Sequence, residues 1–158
     1  MLSEVVHDNL EMVGGVDYTE EEHLFAETLM NTFNSEGLSP EMAASVAPFS
    51  VSEIAGNYST DAGDVSWIIP LVSMSAATWL SGTLRHSWQA VAAGGTSMDI
   101  KGMTVAAKTM AMTAVDLFEN PAIIEKAKLE LYKRRGAQFK YEPMIGDRAP
   151  ALHYAGKH

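Results

Sequence analysis

Ser59-Thr60-Asp61-Ala62-Gly63-Asp64-Val65-Ser66-Trp67-Ile68-Ile69-Pro70 is the stretch on which the fold reading turns. Its Asp and Gly residues supply a turn. Val65 to Ile69 follows as a run of β-branched and aromatic residues that Pro70 ends, and it reads as a strand. Leu71 to Trp79 reads as a second strand or an irregular connection. An apolar run that scarcely alternates suits a strand covered on both faces, as in a sheet sandwiched by helices. Helical periodicity is lost from Phe49 to Thr83 and returns after His86, so the expected class is α/β.

The flanks are helical in pattern. Ser3 can cap a helix to about Val13, with Val6, Leu10 and Val13 on one face and Gly14-Gly15 ending it. Thr19-Glu20-Glu21-Glu22 has the form of a capping box, and the helix behind it offers Leu24, Phe25, Leu29 and Phe33 as an apolar face before Gly37. Ser39-Pro40-Glu41 starts a short turn. Ser87 to Ala93 makes a short helix that Gly94-Gly95 breaks. Ser97 can cap a helix to about Glu119, whose Met103, Ala106, Ala107, Met110, Ala114, Val115, Leu117 and Phe118 form the expected buried face. Asn120-Pro121 starts a last helix that runs to Arg135 and stops at Gly136. The remainder, with Pro143, Gly146 and Pro150, reads as a surface tail.

Composition bounds the partners. The 158 residues are 47% hydrophobic and 20% charged, in the range of one ordinary globular domain. The net charge of −9 argues against nucleic acid or an anionic membrane as the main partner. The late basic cluster, Lys126, Lys128, Lys133, Arg134 and Arg135, reads as solvated cations near a helix C-terminus. No cysteine is present. That excludes a disulfide framework and leaves any zinc with N and O ligands only. Neither of the two long apolar stretches suits a bilayer. Val65 to Leu84 holds Pro70, Gly82 and several hydroxyls, and Gly102 to Leu117 carries Lys108, which costs about 2.5–3.5 kcal/mol at a bilayer centre. Without a basic, apolar leader at Met1-Leu2-Ser3-Glu4, a cytoplasmic location is expected.

Few residues invite chemistry. His86, in a small uncharged turn ahead of a helix, could present one imidazole nitrogen to zinc or manganese and keep the other for an acceptor. The plainer alternative is a surface histidine. Asp61 and Asp64 could orient a substrate or the His86 loop, or could simply bond their own backbone in Asx-turns. A closed three-ligand site from Asp61, Asp64 and His86 is a further alternative. Glu20-Glu21-Glu22 is accounted for by capping. His7 and His23 lack a second histidine at helical spacing and are expected to be exposed, and His153 and His158 fall in the tail. The serines sit in no G-x-S-x-G elbow, and neither Gly-Gly pair belongs to a phosphate loop.

The Ser59–Trp67 run, Thr78-Trp79, Gly82-Thr83-x-x-His86-Ser87-Trp88-Gln89 and Lys101-Gly102-Met103-x-Val105-Ala106-Ala107-Lys108 together resemble the C-terminal part of a dinuclear metallopeptidase and amidohydrolase family that includes carboxypeptidase G and aminoacylase. Asp8-Asn9-Leu10 and Thr19 to Ala26 resemble the stretch just upstream, so the resemblance covers about positions 1 to 135. It implies the helix-rich C-terminal portion of a three-layer α/β/α zinc-peptidase-like catalytic domain. Residues 1–48 would be a helical segment adjoining a missing inserted dimerisation domain, 49–136 the C-terminal part of the catalytic domain, and 137–158 a surface tail. It implies that His86 is the last metal-ligand histidine of a dinuclear zinc or manganese site, with Asp61 and Asp64 as substrate-binding or supporting residues. The activity implied is hydrolysis of an aminoacyl amide such as p-aminobenzoyl-glutamate. Nothing in the chain matches the family's first histidine-x-aspartate, bridging aspartate or general-base glutamates, and Leu84 stands where relatives carry proline. The resemblance therefore implies a fragment or subunit with no catalytic residue of its own. It would be completed by a missing N-terminal part or partner subunit; a piece cut from a larger sheet exposes apolar edges, so the isolated chain is expected to be oligomeric or only marginally stable. The competing expectation is a non-catalytic binding or assembly module that retains the fold.

Overall fold

The computed structural model describes residues 1–51 and 60–150. Among them the elements are α1 (Leu2–Val13), α2 (Glu20–Met30), a 3-10 turn (Pro40–Ala44), α3 (Ala62–Ser66), α4 (Trp88–Ala93), α5 (Ser97–Glu119) and α6 (Pro121–Arg135). No strand occurs among the described residues, so the α/β expectation, and with it the three-layer α/β/α portion, is overturned: every regular element among them is a helix.

The reason lies in where the backbone donors of the 60–69 stretch go. The Thr60 hydroxyl accepts from the Ala62 amide at 3.3 Å, and the Thr60 carbonyl accepts from the Gly63 amide at 3.0 Å. That side-chain turn starts α3, and the amides of Ile68 and Ile69 both close on the Val65 carbonyl. A strand needs those donors for a neighbour. Ile68 and Ile69 are exposed, the opposite of a doubly covered strand. Leu71 to Trp79 is an irregular connection.

Several helix boundaries follow the sequence reading. The Thr19 hydroxyl accepts from the Glu22 amide and the Glu22 carboxylate accepts from the Thr19 amide at 2.7 Å, a complete capping box. α6 starts on Pro121 and ends before Gly136. Two caps fall elsewhere: Ser3 lies inside α1 and makes no cap bond, and Thr96 rather than Ser97 accepts from the Asp99 amide at the start of α5. α2 ends at Met30, well before Gly37.

The core joins Ala26, Leu29 and Met30 of α2 to Leu80, Ala93 of α4 and Met98 of α5, with Tyr18, Phe33 and Leu38 packed against it. Leu24 and Phe25, expected on the apolar face of α2, point outward. α1 lies along α5. The buried stripe of α5 is Met98, Gly102, Thr109 and Thr113, while Met103, Met110, Val115 and Phe118 of the expected buried face are exposed. Backbone closeness explains this choice of face. A side chain on Gly102 would collide with the Ala77 carbonyl, so the 71–79 connection runs directly against α5 there. Thr109 and Thr113 donate to the carbonyls one turn back, which satisfies their hydroxyls inside the helix.

Two polar ties hold the helices in register. Buried Asn9 of α1 donates from Nδ2 to Asp116 at 2.6 Å and to the Thr113 hydroxyl at 3.3 Å. At the other end of α5, the Ser97 hydroxyl donates to Glu22 Oε1 and Lys101 Nζ to Glu22 Oε2, both at 2.5 Å, and Lys101 also donates to the Asp17 carbonyl. Burial opposes the charge on Glu22. The Lys101 and Ser97 hydrogen bonds, the Thr19 amide and the Lys101 charge outweigh it and hold the carboxyl at about 2. Glu22 is thus both a cap and the anchor between α2 and α5.

Candidate functional site

His86 sits at the end of the connection that brings the chain from Leu80 to α4. Buried Leu80 fixes the start, the Thr83 amide turns back onto the Leu80 carbonyl, and Gly82 takes a left-handed φ of 83° against Leu38. Ser87 then caps α4, accepting from the Ala90 amide at 3.2 Å and donating to the Leu84 carbonyl at 2.6 Å. Gln89 ties α4 to the end of α2 through Thr32. Between these fixed points His86 has φ 61°, the one non-glycine residue with positive φ among the described residues. Left-handed backbone costs a non-glycine residue on the order of 1–2 kcal/mol, and histidine tolerates it better than bulkier side chains. The cap of α4 sustains that conformation and turns the imidazole outward, exposed.

Around it lies a shallow open pocket lined by Trp79, Arg85, His86, Ser87, Trp88, Ala90 and Val91. Both indoles are partly exposed. The composition suits a planar ligand with a negatively charged end: indole faces stack, and a guanidinium matches a carboxylate. Sequence spacing singles out His86 but not Trp79, Arg85 and Val91 as its neighbours. The regular turn of α4 puts Val91 near Ser87 and Trp88, whereas only the folded connection brings Trp79 there.

Asp61 and Asp64 occupy the start and first turn of α3. Asp61 is exposed at the helix start and makes no side-chain cap bond. Tyr141 faces Asp64, and burial together with that carboxylate raises the Tyr141 pKa. The neighbouring Trp67 ring stacks on Phe139 at 4.9 Å and 18°, and its carbonyl accepts from Arg135. The segment after α6 therefore clasps α3. Arg135 lies over the Tyr132 and Phe139 rings, not free in solvent as the helix-end reading of the basic cluster expects. Ser59, His153 and His158 lie outside the described residues.

No group of three or more His, Asp or Glu side chains able to hold a metal ion occurs among the described residues, so Asp61, Asp64 and His86 form no closed site between them. One imidazole does not cage a dication. The side chains described do not fit a dinuclear centre by themselves. His7 and His23 are half-buried, not exposed: His7 lies 3.3 Å from Glu11 and against Phe49, and His23 lies 3.6 Å from Glu41 and edge-on to Tyr18.

A deeper groove of about 380 Å³ lies elsewhere, between α1, the α3–Leu71 segment and α6. Arg134 pairs with Glu130 at 3.9 Å and Arg135 Nη1 donates to the Trp67 carbonyl, while Arg135 Nε is buried without a partner; none of Asp61, Asp64 or His86 lines the groove. The His86 pocket is the better candidate on chemistry, though the shallower.

No protein-family model matches the chain, and no solved structure matches it. Over 89 residues, 56% of its length, the chain is 40% identical to one of the subunits of p-aminobenzoyl-glutamate hydrolase from Escherichia coli (strain K12). This bears out the relationship drawn from the motifs, over a shorter span than the motifs suggest. The matched part is 18% of that protein, so the chain spans less than a fifth of its relative. No helix among the described residues is long and apolar enough to cross a membrane.

Proposed function

We propose that the chain contributes one part of a metal-dependent, cytoplasmic amidohydrolase that cleaves an aminoacyl amide of the p-aminobenzoyl-glutamate kind, and that it is inactive alone. The observation that carries this reading is the 40% identity to the hydrolase relative. The pocket geometry supports it. His86 is offered as a single outward imidazole on a capped, anchored turn, ready to complete a zinc or manganese site whose other ligands come from polypeptide outside the described residues. Trp79 and Trp88 would stack on the aromatic ring of such a substrate, and Arg85 would attract a carboxylate. Asp61 and Asp64 would act at one remove, positioning substrate or loop, with Tyr141 beside Asp64. The reaction consumes one water and gives an amine and a carboxylate.

The test is complementation. The chain alone, with zinc or manganese, releases no glutamate from p-aminobenzoyl-glutamate. Combined with the remaining part of a hydrolase of this kind it does, and His86→Ala abolishes that release. Turnover by the chain alone overturns the proposed incompleteness. Undiminished release by the combined His86→Ala protein removes His86 from the site and favours the non-catalytic assembly module.

A further inference from the structure

We propose that the outer face of α5 is where two copies of this chain meet, antiparallel about a two-fold axis level with Met110 and Ala111. The inference rests on α5 of the isolated chain, where the remaining part of the proposed hydrolase is not there to compete for this face. At 100° per residue, Ile100, Met103, Ala107, Met110, Ala114 and Phe118 fall in one stripe about 100° wide. All six are exposed, Met110 at 65% and Phe118 at 85%, and no charged residue interrupts them. The stripe is set away from the Met98–Thr113 side that α1 and the 71–79 connection cover.

A second copy fits because the stripe is self-complementary. Laid antiparallel about that axis, Met103 meets Phe118 of the second copy, Ala107 meets Ala114 of the second copy, and Met110 meets Ala111 of the second copy. Ala107 and Ala114 let the helix axes come close on either side of the centre, and at the centre Met110 lies over the small Ala111. Long side chains interleave at both ends. α5, with 23 residues, is about 35 Å long, so the full stripe engages. The exposed fractions correspond to on the order of 600 Å² of apolar surface per copy. Counted over both copies, that exceeds the roughly 1,000 Å² that separates specific interfaces from chance contacts. An uncovered patch of this size stands at the upper end of what monomers expose.

Sedimentation equilibrium from about 1 to 100 µM tests the proposal. The expected result is a monomer–dimer equilibrium, with Met110→Glu raising the dissociation constant at least tenfold while far-UV circular dichroism keeps its helical signal. The chain has no cysteine, so single cysteines report geometry cleanly. Ala111→Cys lies beside its own symmetry mate and cross-links on mild oxidation. Met103→Cys lies about 11 Å along the helix from the axis and does not. A monomer at every concentration overturns the proposal, as does a dimer that Met110→Glu leaves intact. So does cross-linking through Met103→Cys but not Ala111→Cys, whichever variant folds best.

Discussion

Beyond its first turn, where Met98 enters the core, the two faces of α5 invert the usual relation between polarity and burial. One face, with Gly102, Thr109 and Thr113, is polar or small and is buried against α1 and the 71–79 connection. The other, with Met103, Met110 and Phe118, is apolar and open. The difference teaches that along most of α5 the buried side is set by how closely a neighbouring backbone approaches and by where its hydroxyls can pair, more than by side-chain hydropathy. Glycine admits the Ala77 carbonyl, and the threonines pair with their own helix.

Substitutions can break or sharpen that contrast. Gly102→Leu should be the most damaging single change, because its Cβ meets backbone that cannot give way; a loss of about 3 kcal/mol in urea unfolding is expected. A loss below about 0.5 kcal/mol would mean the connection does not press on α5. Asn9→Ala removes the buried donor to Asp116 and Thr113 and should cost about 2 kcal/mol, as a hydrogen bond to a charged group does. An Asn9→Ala protein as stable as the parent would dissolve the claim that polar pairing sets the register.

Next in size is Glu22. Its pKa is depressed in the folded chain to about 2, below the ordinary 4.5, so its contribution is fully present above pH 4.5 and is lost as pH falls towards 2. Stability measured from pH 6 to 2 should decline across that window, and Glu22→Gln should flatten this part of the decline while lowering stability at pH 6 by about 1 kcal/mol, discounted because Lys101 is partly exposed. His86→Gly should move the other way, raising the melting temperature through a gain of about 1 kcal/mol, since glycine adopts φ 61° without strain. An unchanged or lower melting temperature there would show that the imidazole makes contacts that offset its backbone cost. Smallest of all, Met110→Ala and Phe118→Ala, measured at dilution where copies are apart, should stay within about 0.5 kcal/mol of the parent.

The sequence declares some parts of this fold openly. The Thr19–Glu22 capping box, Pro121 opening α6 and Gly136 closing it depend on local hydrogen bonds and backbone angles, so neighbouring residues suffice to read them. The 65–69 run misleads because a short apolar stretch suits strand and helix alike, and the Thr60 side-chain turn settles the matter for α3. The inner face of α5 misleads because hydropathy points to Met103 and Phe118, while a glycine and two threonines carry no apolar signal. Asn9 and Glu22 are legible as helix residues but not as anchors, since their partners lie far along the chain. At the site, His86 stands out by motif, its left-handed backbone does not, and Trp79 joins it only through tertiary folding.

Phe139 lying flat on Trp67 supplies a natural optical gauge. With Trp79 and Trp88 replaced by Phe, the remaining indole emission reports whether the stretch beyond Gly136 is seated, with no dye attached. Trimming the chain at Gly136 would strip Trp67 and Asp64 of their cover together, so proteolytic nicking there would announce itself as a shift in colour.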